Sequence, residues 1–124
     1  MGRLGGKNAV VIGAGSGAAV ACVENDKTMG EETAALIRTE GGDAVFIECD
    51  LAHSTAIEGM ARSCMAWRDT LHVLFNNTAP FLCSQKLLPA LKAAGGAAII
   101  HHGSIDGVLG NSTLTTYSAD KGGL

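Results

Sequence analysis

Cationic charge and aromatic rings are both scarce in this chain. Nine Lys and Arg stand against twelve Asp and Glu, a formal net charge of −3, so the electrostatic attraction that dominates binding to a nucleic-acid backbone has no source. Trp67 has no aromatic partner with which to build a base-stacking platform and reads as a helix-face packing residue. Long apolar runs are missing too. Residues 8–15, NAVVIGAG, are broken by glycines before they form the apolar stretch of a secretory signal, and no segment has the length of a membrane span. The four cysteines, Cys22, Cys49, Cys64 and Cys83, show no C-x-x-C spacing. Reduced, mostly buried thiols are therefore expected instead of a disulfide framework or a metal site, with the cytoplasm as the default compartment.

What is plentiful is glycine, 17 residues against two prolines in a chain of 124 that is 47% hydrophobic. That length suits one domain, residues 1–124, able to bury a sizeable core. Short apolar runs recur at Lys7 to Ile12, Asp43 to Glu48, Leu71 to Asn76 and Ala97 to His102, each six residues long and each followed by turn residues. Stretches of helical character separate them. Thr28 to Thr39 sets Ala35, Leu36 and Thr39 along one side and stops at Gly41-Gly42. Ser54 to Arg68 brings Ile57, Met60, Ala61 and Cys64 onto one face, with Ser54 as N-cap. Pro80 opens a further helix whose Leu87, Leu88 and Leu91 read as core, with Pro89 able to bend it. This alternation predicts an α/β fold, a Rossmann-like parallel sheet with flanking helices.

One segment resists assignment. Ala18 to Glu24 follows the first strand after only about five residues, and a parallel connection ordinarily needs a dozen or more. A short Ala-rich helix over 18–23 suits both the spacing and the propensity. The alternative is a second strand with Glu24 at its tip.

Two groups of residues carry chemistry. Gly13-Ala14-Gly15-Ser16-Gly17 directly follows the first strand, where glycines let the backbone turn sharply toward a pyrophosphate and a following helix start offers unpaired N–H groups; a plain strand-to-helix turn is the competing reading. Tyr117 and Lys121 are spaced i, i+4, which on a helix holds an ammonium beside a phenol and favours the phenolate. On its own such a pair is an ordinary solvated helix face. Other constellations fit worse. A nucleophile elbow around Ser104 needs glycine two residues earlier, and His102 stands there. Adjacent His101 and His102 would point to opposite faces of a strand and so cannot share a metal, while His53 and His72 are isolated.

The segment from Gly96 to Leu124, GAAIIHHGSIDGVLGNSTLTTYSADKGGL, resembles the active-site region of the short-chain dehydrogenase/reductase family, in which a strand ends at a serine and a Tyr-x-x-x-Lys pair follows about a dozen residues later. VVIGAGSG resembles the family's amino-terminal fingerprint at Gly13, Ser16 and Gly17, with Ile12 for the usual Thr and Ala19 where the last glycine would fall. Glu48-Cys49-Asp50-Leu51 and Phe75-Asn76-Asn77-Thr78-Ala79 resemble two further family segments, Thr78 and Ala79 replacing the Ala-Gly of the second. The resemblance implies an NAD(P)-dependent oxidoreductase that moves a hydride between nicotinamide and an alcohol or ketone. Tyr117 would be the general acid/base, Lys121 its activating cation and a ribose contact, and Ser104 the hydrogen-bond partner of the developing alkoxide. Gly13, Ser16, Gly17, Asp50, Leu51 and Asn77 would line the cofactor.

If residues 18–24 form a strand, Glu24 would accept the ribose hydroxyls and favour NAD over NADP. Matching the family requires gaps after Gly17 and after Ala79, and the match breaks off at Leu124, so the chain reads as an internally shortened, C-terminally truncated member. The family's proton-relaying asparagine has no counterpart here. A nucleotide-binding remnant without turnover is therefore the second reading. The expected partner is a small alcohol or ketone, with neither nucleic acid nor membrane, and an exposed sheet edge would favour a homo-oligomer.

Overall fold

A computed structural model describes residues 6–12 and 19–124. Within them, strands β1 (Asn8–Ile12), β2 (Ala19–Glu24), β3 (Ala44–Glu48), β4 (Val73–Asn76) and β5 (Ala98–His101) form one sheet in the order β3-β2-β1-β4-β5. Every neighbouring pair is parallel. Helices α1 (Lys27–Thr39), α2 (Ser54–Trp67), α3 (Pro80–Ala93), α4 (Ile105–Leu109) and α5 (Thr115–Gly122) complete the architecture. The expected Rossmann-like α/β fold is present. The chain lays β2 and β3 to one side of β1 and then crosses to lay β4 and β5 on the other. That reversal opens a crevice at the carboxyl ends of the strands, where doubly wound sheets bind ligands.

Residues 19–24 correct the helical expectation for 18–23. β2 is a strand in the interior of the sheet, pairing Asn8 with Ala19 on one side and Val20 with Ala44 on the other. Its alternate residues feed opposite cores: Ala21 and Val23 join one apolar cluster, while Val20 and Cys22 join the other. A run buried on both faces carries no polar alternation, and ladder pairing on both edges overrides an alanine-rich helical preference. The length rule applies to crossovers built around a helix, and reach alone demands less. Seven Cα steps from Ile12 to Ala19 extend to roughly 23 Å, against roughly 14 Å set by four residues of strand rise and one inter-strand spacing. The joining residues 13–18 lie outside the described residues.

Helix α1 also turns a different face inward than Ala35, Leu36 and Thr39. Its buried residues are Gly30, Ala34 and Ile37, at i, i+4 and i+7, and Leu36 is 60% exposed. The cause is Phe46 on β3. A Cβ at Gly30 would stand 2.2 Å from the Phe46 ring, so only glycine lets α1 settle there. Asp26 caps the helix by accepting from the Met29 N–H at 3.0 Å.

On the opposite face α2 buries Ile57, Met60, Ala61 and Cys64 as expected, although His53, not Ser54, is its N-cap residue. Helix α3 buries Leu87 and Leu91 but leaves Leu88 partly exposed. These side chains meet Val10, Leu71 and Leu74 in the larger core, each large apolar residue contributing about 1.5–3 kcal/mol.

All four cysteines are buried and free. Burial pushes the Cys64 thiol up to about 12 and Cys83 up to about 11, and raises Cys22 and Cys49. A raised folded-state value adds stability that is full below the unfolded value near 9 and is lost as pH climbs through the folded values. The urea midpoint should therefore hold to about pH 9 and fall between about 9 and 12. A thiol-specific reagent at pH 8 should leave Cys64 and Cys83 unlabelled until denaturant is added; labelling of both in the native protein would contradict this packing.

Candidate functional site

The ends of β4 and β5 interlock through two adjacent pairs of polar residues. Asn76 is buried, and its Nδ2 lies 3.3 Å from Ser84 Oγ and 3.3 Å from His101 Nδ1. One residue on, the pleat sends Asn77 and His102 the other way, and His102 Nδ1 lies 3.1 Å from Asn77 Oδ1. The His102 ring stacks on Phe75 with centroids 5.9 Å apart.

Into this second pair reaches Lys121 from α5. It is only 7% exposed, so its ammonium has lost most of its water and needs replacement acceptors. It finds three: the Asn77 carbonyl, the Asn77 Oδ1 at 3.2 Å and the His102 carbonyl at 2.9 Å. An ammonium has three protons to donate, and each has a partner here. Tyr117, one helical turn earlier, is 43% exposed, with its ring centroid 6.0 Å from Lys121 Nζ. The i, i+4 expectation of a cation beside the phenol ring is met.

Ser104 follows β5 by three residues and is the N-cap of α4, its Oγ accepting from the Asp106 N–H at 3.2 Å. That bond uses the hydroxyl as an acceptor and leaves its proton for another partner. The short α4 then packs directly on α5, and the intervening loop is pinned where Asn111 N–H donates to Ser118 Oγ at 3.0 Å.

A cavity of about 380 Å³ opens at the carboxyl ends of β2, β3 and β4. Glu24, Asp50, Leu51 and Asn77, four of the residues expected at a cofactor, line it together. Glu24 stands at the tip of β2, its Oε1 accepting from the Asn25 N–H at 2.8 Å. Asp50 is held by the Ala52 N–H at 2.9 Å and His53 Nδ1 at 3.0 Å; the backbone hydrogen bond leads in lowering its carboxyl below the ordinary range, aided by His53. Cys49 and Thr78, which stand in the two family-like segments of the sequence, also line the cavity, as does Asn25, which the sequence did not single out. None of the described lining residues is cationic.

Asn77 belongs both to the cavity and to the Lys121 cluster, so the two groups of expected residues meet there. Gly13, Ser16 and Gly17 lie outside the described residues. The cavity falls within the roughly 300–1,000 Å³ of small-molecule sites. Its apolar walls and two carboxylates suit the hydroxyl-bearing adenosine end of a dinucleotide.

The profile of the short chain dehydrogenase family matches residues 5–80. This chain belongs to that family. It is 28% identical over 163 residues to the uncharacterized oxidoreductase YxbG of Bacillus subtilis strain 168, covering 100% of this chain and 59% of that protein. The aligned stretch is longer than the chain itself, so internal segments of that relative have no counterpart here. Overall the chain spans about three fifths of the length of the curated relatives it matches. Among solved structures, a 7α-hydroxysteroid dehydrogenase complexed with NADH and 7-oxo glycochenodeoxycholic acid superposes with a TM-score of 0.88 at 21% identity, over 98% of this chain and 62% of that one. A metagenomic short-chain oxidoreductase in complex with NADP gives 0.85 at 26% identity, over 98% and 72%. No described helix is long and apolar enough to cross a membrane.

Ala79 precedes α3 with φ 50° and ψ 45°, the only described non-glycine residue at positive φ. An L-residue there costs roughly 1–2 kcal/mol, part of which glycine would return as unfolded-chain entropy of about 0.4–1 kcal/mol. Ala79→Gly should therefore stabilise the protein by about 0.5–1 kcal/mol, raising the urea midpoint at constant slope. A fall in that midpoint would contradict the strain.

Proposed function

We propose that this chain is an NAD-binding oxidoreductase acting on a secondary alcohol or its ketone. The observation that carries the reading is the continuity of one site: the Glu24–Asp50 cavity shares Asn77 with Lys121, and Lys121 lies against Tyr117. Nicotinamide, when bound, supplies the hydride chemistry. The chain's own residues supply the proton and the positioning. Tyr117 Oη gives its proton to the carbonyl oxygen in reduction and takes the hydroxyl proton in oxidation, a contribution of about a hundred- to ten-thousand-fold. Ser104 Oγ, its hydrogen unclaimed by Asp106, donates to the same oxygen as negative charge develops. The Lys121 ammonium, kept in place by Asn77 and His102, favours the phenolate form that must exist for an instant in each turnover.

Two acids and no cation among the described residues of the cavity support NAD over NADP. Glu24 would accept ribose hydroxyls and repel a 2′-phosphate, while Asp50 and Leu51 would border the adenine ring. Gly13, Ser16 and Gly17 would approach the pyrophosphate. A second reading, nucleotide binding without turnover, draws on the full occupancy of Lys121's three donors, which leaves none for a ribose in this arrangement.

Calorimetric titration with NAD and NADP, paired with absorbance at 340 nm over a panel of secondary alcohols, separates the readings. The oxidoreductase reading expects NADH formation, lost by at least about a hundredfold in Tyr117→Phe with NAD affinity kept. Binding without turnover supports the second reading, and no binding of either nucleotide removes both. Glu24→Gln should narrow the NAD:NADP affinity ratio by about tenfold, corresponding to about 1.4 kcal/mol; an unchanged ratio would take Glu24 out of cofactor choice.

A further inference from the structure

Helix α5 reaches its position through a backbone-to-backbone contact that depends on one glycine. Gly107 is in the middle of α4, and a Cβ built on it would stand 2.7 Å from both the carbonyl carbon and the carbonyl oxygen of Lys121, and 2.9 Å from the Gly122 nitrogen. These are main-chain atoms of a helix, which cannot rotate aside as a side chain can. From the other side, a Cβ on Gly122 would come within 3.2 Å of the Gly107 oxygen. The crossing is thus closed by a glycine on each helix, and the residue pressed against Gly107 is the one carrying the buried ammonium.

We propose that Gly107 is a positioning residue for Lys121: by bringing the α4 backbone into contact with the α5 backbone, it sets the depth at which the ammonium meets Asn77 and His102. This rests on the oxidoreductase reading only for its catalytic consequence. The geometric consequence stands alone. A methyl group at 107 must push α5 away by several tenths of an ångström, and the hydrogen bonds from Lys121 Nζ, one of them already 3.2 Å long, weaken steeply with such a displacement. The neighbouring apolar residues offer no resistance to that movement, since Val108 and Leu109 are 81% and 76% exposed. The contact at Gly107 is therefore what α5 leans on.

The direct test is lysine acetylation by a water-soluble reagent, quantified residue by residue by mass spectrometry. In the unaltered chain Lys121 should be modified at least tenfold more slowly than the exposed Lys27 and Lys92. Gly107→Ala should raise the Lys121 rate several-fold toward theirs while far-ultraviolet circular dichroism and the rates at Lys27 and Lys92 stay constant. Gly122→Ala, with its looser contact, should give a smaller rise, and Gly96→Ala, whose Cβ meets nothing within 4 Å, none. Should Gly107→Ala fail to fold, the Gly122→Ala and Gly96→Ala pair decides: equal Lys121 rates in the two overturn the proposal. A folded Gly107→Ala with Lys121 still protected overturns it as well.

Turnover adds an independent arm where the unaltered chain is active. The kcat of Gly107→Ala should fall toward that of Lys121→Met, and the double substitution should be no slower than Lys121→Met alone. Additive losses would overturn the assignment of Gly107 to Lys121. If the unaltered chain proves inactive, the oxidoreductase reading fails while the acetylation rates still judge Gly107.

Discussion

The arrangement depends on how a buried ammonium is satisfied. Lys121 sits almost out of water with no carboxylate against it among the described residues, and its charge is carried by two carbonyls and one amide oxygen from the ends of β4 and β5. Stranding such a charge without acceptors would cost several kcal/mol. The lysine therefore does more than stand near a tyrosine. It ties a short, mostly exposed helix to the sheet, and the tie falls beside the crevice created by the strand order. Asn77 and His102 supply all the acceptors. The first also borders the acidic cavity, and the second stacks on Phe75.

The site accordingly has two halves with different foundations. The half around Glu24 and Asp50 is built on β2 in the interior of the sheet and β3 at its edge, with apolar cores on both faces. The half around Tyr117 rests on α4 and α5, which pack on each other at a glycine crossing and are tied to the sheet by the Lys121 ammonium. β5, beneath that second half, is exposed along its whole length.

Much of this was legible in the sequence for identifiable reasons. Strand periodicity located β1, β3, β4 and β5 because apolar runs bounded by glycine and asparagine have few other uses, and α2 followed from an unbroken i, i+3, i+4, i+7 pattern. The pairing of Tyr117 with Lys121 followed from helical geometry alone. β2 did not, because a strand buried on both faces and rich in alanine carries no alternation, and its short link to β1 pointed toward a helix. The inward face of α1 was hidden for a related reason: Gly30 is buried for what it lacks, and only the position of Phe46 reveals that. His102 was dismissed as a metal ligand and as part of a hydrolase. Its role here comes from its carbonyl, which no side-chain reading can anticipate. Gly107 is equally silent in sequence, since a helical glycine is informative only once the atoms across from it are known.

The central claim is that the Lys121 ammonium is energetically coupled to Asn77 across the junction of α5 and β4. A double-mutant cycle of Lys121→Met and Asn77→Ala, measured by urea denaturation, tests it most directly. Hydrogen bonds to a charged, largely buried group contribute about 1.5–3 kcal/mol, so the account predicts a coupling of at least about 1 kcal/mol between the two substitutions. Additivity within about 0.3 kcal/mol would mean that the ammonium does not depend on Asn77, and the connection between the two halves of the site would be lost.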